Sequence, residues 1–349
     1  MSVTTHERPG VYSSYDASSI IGGKDGNKTV GLVAVSTAAQ ANIAVTVTSY
    51  EEAMTTFGEG DAAELVRLAL KNGAGAVVVV PTADATGYES ALTVLEGLDG
   101  ISLAICDSTE LTVQQMLRSS VVTASNVRRE RLAVVGGERD ETVAALIARA
   151  GELSCERVVL VGPGGVDSSG LGERGIFAAA AVAGTIAGDK DPAIPLGGAE
   201  LSGLYGLAAR YSDNEIDLLV QGGVTPLEEM SGTVSVVRGV TTRTKTDGAE
   251  DRTWRELTTI RVVDDVIPQL RTALRSKFRR AKNTAQSRSA IRSQVILELE
   301  NKLGKEIITA YDNVTVAADT ENPTICLVDL AFTVAHGLSQ IWIAAHISV

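Results

Sequence analysis

The chain has 349 residues, with 31 lysines and arginines against 43 aspartates and glutamates, for a formal net charge of -12. That acidity argues against a general nucleic-acid binder, which carries a basic surface. The length leaves room for two or three domains at about 150 residues each.

Hydrophobic residues make up 44% and aromatic residues only 4%, so the core has to be aliphatic. Cys106, Cys155 and Cys326 stand too far apart for a CxxC zinc site. Such a sparse, odd set of thiols fits a reducing compartment. The opening "MSVTTHERPGVYSSYDASS" is polar, with no apolar signal core. No apolar run approaches the roughly 20 residues of a membrane span. The expectation is a soluble protein made in a cytoplasm without a signal peptide.

Residues 1–20, carrying Pro9 and Gly10, read as an extended N-terminal arm. An α+β segment follows over 21–75. In it "TVGLVAVS" (29–36) is an apolar strand and "ANIAVTVTS" (41–49) an alternating one. Ser49 is placed to cap a short helix with Glu51 and Glu52 in its first turn. "GDAAELVRLALKNG" is a helix closed by Gly73.

Over 76–229 strands and helices alternate: "AVVVVP", "YESALTVLEGL", "ISLAICDS", "TELTVQQMLRSSVVTASNVR", "RLAVVGG", "DETVAALIARAGEL" and "RVVLVGP". This order predicts right-handed crossovers and a mostly parallel sheet. "IFAAAAVAGTIAG" predicts a helix packed tightly against neighbouring backbone. From 230 to 337 the character changes: alternating β, a charged hairpin, two helices and the strands "YDNVTVAAD" and "TICLVDLAFTV". The last segment, 338–349, alternates with period two, Ile341, Ile343, Ile347 and Val349 on one side and Trp342 on the other. It reads as a strand that runs to the final residue. The fold class is therefore α/β (mixed α+β), with a central α/β domain, a C-terminal α+β domain and extended arms at both ends.

Candidate chemistry is thin. "GGKDGNKT" (22–29) nearly spells a phosphate-binding loop, but Asn27 replaces the second glycine and a strand follows where the motif needs a helix. "GLGERG" (170–175) spells GxGxxG, several residues beyond its strand. His6, His336 and His346 form neither a triad nor a metal set, and no serine sits in a GxSxG elbow. Asp264 and Asp265 are adjacent and fit an N-terminal helix turn better than an acid/base pair. Cys106–Asp107 at a strand end has no nearby histidine and reads as structural. No catalytic residue, cofactor site or metal site is assigned.

One charge feature stands out. No acidic residue lies between Val266 and Leu297, while Arg271, Arg275, Lys277, Arg279, Arg280, Lys282, Arg288 and Arg292 do. The block is a solvated helix face, or it meets an acidic protein, or, less fittingly without interleaved aromatics, a nucleic acid.

"RPGVY" near the start, then "GLVAVS … VTVTSYEEAMTTFG" and "LVRLALKNGAGAVVVV", resemble contractile-tail sheath proteins. The likeness strengthens over "GTVSVVRGVTTRT … TWRELTTIRVVDDVIPQLRTAL", "AIRSQVILELENKLGKEIITAY" and "PTICLVDLAFTV". It runs in order through nearly the whole chain, and its motifs are structural, not catalytic.

The resemblance implies a subunit that polymerises helically, in six-fold rings, around an inner tail tube. It would contract to drive that tube through a target envelope, in a phage tail or an extracellular phage-tail-like bacteriocin particle. It also implies baseplate and tail terminator partners, and terminal strands that join neighbouring subunits. Pro9, Gly10, Val11, Tyr12, Ile341, Trp342, Ile343, Ile347 and Val349 are then the candidate links. Arg271, Arg275, Lys277, Arg279, Arg280 and Lys282 are the candidate tube contacts, with no direct nucleic-acid or membrane contact. The competing class is a nucleotide-binding α/β enzyme, supported by the two glycine-rich loops.

Overall fold

The computed structural model describes residues 27–338, apart from 167 and 169. The elements begin with β1 (Thr29–Val35), β2 (Val45–Val47), α1 (Tyr50–Phe57) and α2 (Asp61–Lys71). Strand–helix pairs follow: β3 (Ala76–Thr82) with α3 (Tyr88–Gly97), β4 (Ile101–Cys106) with α4 (Leu111–Asn126), β5 (Leu132–Gly136) with α5 (Val143–Leu153), and β6 (Val158–Gly162) with α6 (Ile176–Gly188). The body closes with β7 (Glu200–Leu201), α7 (Asp213–Gln221), β8 (Val224–Met230) and β9 (Thr233–Val236).

These strands make one nine-stranded sheet in the order β2-β3-β1-β4-β5-β6-β8-β9-β7. The run from β3 to β8 is parallel, and antiparallel strands close both edges. Because β1 lies between β3 and β4, the segment before residue 75 and the one after it share a sheet.

Both faces of the parallel strands are covered, which is why they read as continuous Val/Ile/Leu runs. Val30, Leu32, Leu103, Val134 and Val159 point to a core built with α1, α2 and α6. Val33, Ala104, Val135 and Leu160 point to a second core built with α3, α4, α5 and α7. Ser49 caps α1 by accepting the Glu52 N–H, as its position predicts.

Helix α6 is buried around almost its whole surface, which accounts for its lack of charged residues, and its one polar side chain, Thr185, donates to the Ala181 carbonyl of the same helix. Its small residues let backbone approach backbone: a Cβ on Gly184 would overlap the Ala69 carbonyl of α2.

After the body, β10 (Lys245–Thr246) and β11 (Ala249–Glu250) form the charged hairpin, turned by Asp247 and Gly248 at φ 51° and 83°. Both central residues at positive φ is the turn that suits paired strands. Then come α8 (Arg252–Arg255), α9 (Leu257–Phe278), α10 (Ala285–Leu303), β12 (Ile308–Ala318) and β13 (Cys326–Val334). Helix α9 joins two cores. Leu257 and Ile260 belong to the first core of the body, while Val262, Val266 and Leu270 belong to a third core with α10 and β12.

The structure corrects several sequence readings. Asp264 and Asp265 lie in the middle of α9 and not in its first turn, because the helix already begins at Leu257. Asp264 faces the body, where it pairs with Arg157, and Asp265 faces α10, where it pairs with Lys302. About 100° of helical rotation separates the two, so adjacent carboxylates serve different neighbours. The strand in "ANIAVTVTS" is only Val45–Val47. Helix α7 and strands β7 and β8 were not anticipated.

Candidate functional site

In an open α/β sheet, ligands gather outside the carboxyl ends of the strands where the winding reverses. Here that point lies between β1 and β4, whose neighbours β3 and β5 continue in opposite directions. It is knotted by its own side chains. The Asp107 carboxylate accepts the Val35 N–H at 2.7 Å and the Tyr88 hydroxyl at 2.6 Å. Arg174 reaches over the top to the Asp107 carbonyl and to Asp61.

Burial pushes the Asp107 carboxyl above the ordinary aspartate range, against the pull of those hydrogen bonds. Burial also pushes the Cys106 thiol up to about 12, as for a cysteine packed in the core.

The two glycine-rich loops are equally structural where they are described. Asn27 donates to the Gly73 carbonyl at 2.7 Å, and Thr29 already belongs to β1. Gly175 is needed because it packs backbone to backbone on Gly136 at the end of β5. Among the described residues no group of three His, Cys, Asp or Glu could hold a metal ion, and no helix is long and apolar enough to cross a membrane.

The basic block divides into two sets. Arg271 turns back to the body and pairs with Glu130 at 2.9 Å. Lys277 donates to Gln294 on α10, Arg288 donates to Asn283, and Arg292 donates to the Val314 carbonyl. Arg275, Arg279, Arg280 and Lys282 are exposed and form no ion pair among the described residues. They cluster on the last turn of α9 and the loop before α10.

A residue that sequence reasoning passed over fixes this loop in space. The Asn283 side-chain amide donates to the Pro323 and Ile325 carbonyls at 2.8 and 3.0 Å, tying it to the β12–β13 turn. The two turns form one tip. Ile325 and Leu327 are exposed beside it.

The ladder behind that tip has only two strands. β12 and β13 pair antiparallel from Ile308↔Val334 to Ala318↔Cys326, with Leu330 and Phe332 packed on the third core. Among the described residues, neither strand pairs with a third on its outer edge. Exposed edges of this length invite strand addition. The candidate links Pro9, Gly10, Val11, Tyr12, Ile341, Trp342, Ile343, Ile347 and Val349 lie outside the described residues.

Two sequence-family models match the chain: the phage tail sheath protein central domain over residues 79–242 and the phage tail sheath C-terminal domain over residues 249–348. Together they account for well over half of it. The chain belongs to the contractile phage-tail sheath family. No curated protein sequence matches.

Solved structures agree in fold. The helical sheath of the anti-feeding prophage in its contracted state is 16% identical, with a TM-score of 0.74 over 99% of this chain and 100% of that one. The sheath tail protein of Desulfitobacterium hafniense is 14% identical, with a TM-score of 0.69 over 93% of this chain and 100% of that one. A sheath tail protein of Listeria innocua is 13% identical, with a TM-score of 0.73 over 90% and 93%. The family's mixed α+β architecture is thus this chain's architecture.

Proposed function

We propose that this chain is the sheath subunit of a contractile injection particle, self-assembling helically around an inner tube and attaching to a baseplate. The observation that carries this reading is the two-stranded β12–β13 ladder, whose outer edges have no partner strand among the described residues. Residues 8–19 and 338–349 are the proposed additions to such edges, supplied by neighbouring subunits. Main-chain hydrogen bonds formed this way leave subunit bodies free to slide and rotate while the links persist. Contacts between unlike patches that do not close a ring extend into a helical filament. Contraction is then a switch between two packings of one lattice, with the energy stored at assembly and no nucleotide consumed.

Arg275, Arg279, Arg280 and Lys282 are the proposed contact with the inner tube. Arg271 leaves that set, since it is paired with Glu130, whereas Lys277, exposed and bonded only to the neutral Gln294 amide, keeps its charge and stays a candidate beside them. Charge complementarity at such a tip is reversible and weakens with salt. The proposed location is a phage tail or an extracellular phage-tail-like particle.

Negative-stain electron microscopy of the purified, concentrated chain, alone and with its tube protein, tests the reading. Hollow striated cylinders are expected, and removal of residues 338–349 is expected to leave folded single particles. A truncated chain that still builds sheaths would sink the account of the terminal strand.

A further inference from the structure

The route of the chain out of the C-terminal unit is unusual. Past β13, Ala335 makes a last backbone bond to the Ile307 carbonyl at 3.2 Å. The chain then leaves the ladder and crosses to the α/β body. Gly337 lies flat on Pro195, so closely that a Cβ there would sit 2.6 Å from the Pro195 Cβ and 2.7 Å from its Cγ. Gly337 is not at positive φ, so close approach and not backbone freedom requires glycine here.

Pro195 cannot retreat. Buried Arg261 clamps its loop, donating to the Ile194 carbonyl at 3.0 Å, the Asp189 carboxylate at 3.0 Å and the Asp191 carbonyl at 3.3 Å. On the other side the Gly198 N–H bonds the Val236 carbonyl at 2.7 Å, and Gly197 leaves no room before Val237. Cavities of about 330 and 570 Å³ flank the crossing, and both are lined by Pro195 and Gly337. Among the described residues the chain meets the body closely at Gly337, and Leu338 immediately beyond is 75% exposed.

We propose that Gly337 on Pro195 is a clamp that fixes where residues beyond 338 leave the subunit, coupling them to the α/β body and not to the hairpin that precedes them. This deepens the sheath reading and rests on it for its consequence: a link leaving from the body is steered by rotation of the body. Gly337 is then a positioning residue for the link and Pro195 its seat. The hairpin edge that receives a link and the point that sends one belong to different parts of the subunit.

The test uses the full chain and three variants, Gly337→Val, Pro195→Gly and the two together. Two quantities are read: hydrogen exchange of the peptide covering 335–338 in the free subunit, and sheath yield with the tube protein by electron microscopy. In Gly337→Val, exchange should accelerate ten-fold or more and sheath yield fall ten-fold or more, with thermal unfolding of the body unchanged. Pro195→Gly, which removes the seat, should show the same two losses, and the double variant should lose no more than the worse single variant, because both substitutions break one contact. Unchanged exchange in Gly337→Val overturns the clamp. Accelerated exchange with wild-type sheath yield overturns the steering. If the unmodified chain never assembles, the sheath reading fails and the exchange result alone decides the clamp.

Discussion

Arg157 grips Asp264 with two parallel hydrogen bonds, 2.7 and 3.0 Å long, across the seam between the sheet and α9. Both side chains are largely buried, at 13% and 16% exposure. Removing one partner strands the other charge in a poorly solvated place, so Asp264→Ala should destabilise the chain by about 3–5 kcal/mol. Replacing both, with Arg157→Met and Asp264→Leu, should recover most of that loss, since a buried pair contributes little over a well-packed apolar pair. Urea unfolding of the three proteins decides this; equal losses in the single and double variants would contradict it.

Asp107 gives the stability a pH dependence with a definite sign. Burial raises its folded pKa above the ordinary 3.8. The folded chain therefore binds the proton more readily than the unfolded chain. Its contribution is fully present below the ordinary value and is lost as pH rises through the raised one. Asp107→Asn can still offer an oxygen to the Val35 N–H, while its amide turns to the Tyr88 oxygen. Urea midpoints collected from acid to neutral pH should show the variant gaining on the parent as pH rises. A constant difference between the two curves would refute this.

What was legible in the sequence follows from how local each signal is. The strands of the parallel sheet announced themselves because both faces are buried, and Ser49 announced α1 because a cap acts within one turn. Helix α7 carried a full capping box, Ser212 with Glu215, and that signal was there to be read. The start of α9 was not legible. Glu256 precedes it without any side-chain cap, so the two aspartates farther on stood in for the missing signal. Strand β7 is Glu200–Leu201, too short for any periodicity. The division of the basic block into paired and free cations could not be read at all, since Glu130 is distant in sequence from Arg271.

Two glycines in helices should respond oppositely to alanine. Gly184 of α6 faces the Ala69 carbonyl with no room for a Cβ, so Gly184→Ala should cost about 1–3 kcal/mol through overpacking. Gly151 of α5 is exposed and a Cβ there meets nothing within 4 Å. Gly151→Ala should therefore stabilise by about 0.5–1 kcal/mol, the ordinary helix preference. Calorimetric midpoints moving in the same direction would show that α6 has slack that its packing does not suggest.

The basic tip offers the sharpest separation of stability from assembly. Arg279, Arg280 and Lys282 lie beyond the last residue of α9 and are exposed, with no ion pair among the described residues. Reversing all three to glutamate should leave the unfolding midpoint within about 0.5 kcal/mol of the parent, as for ordinary surface sites. Arg271→Ala should cost more than this, about 1–3 kcal/mol, because it strands the Glu130 carboxylate, which is only 15% exposed. The two differ in assembly. If the tip meets an acidic tube surface, the triple reversal abolishes co-assembly with the tube, and added salt weakens the parent towards the same behaviour. Arg271→Ala should co-assemble normally, because its charge faces the body. Sedimentation of mixed sheath and tube proteins at low and high salt distinguishes these. A triple variant that pellets with the tube as the parent does would remove the tip from the interface and return its charges to a solvated helix end, where α9's C-terminal dipole already favours them.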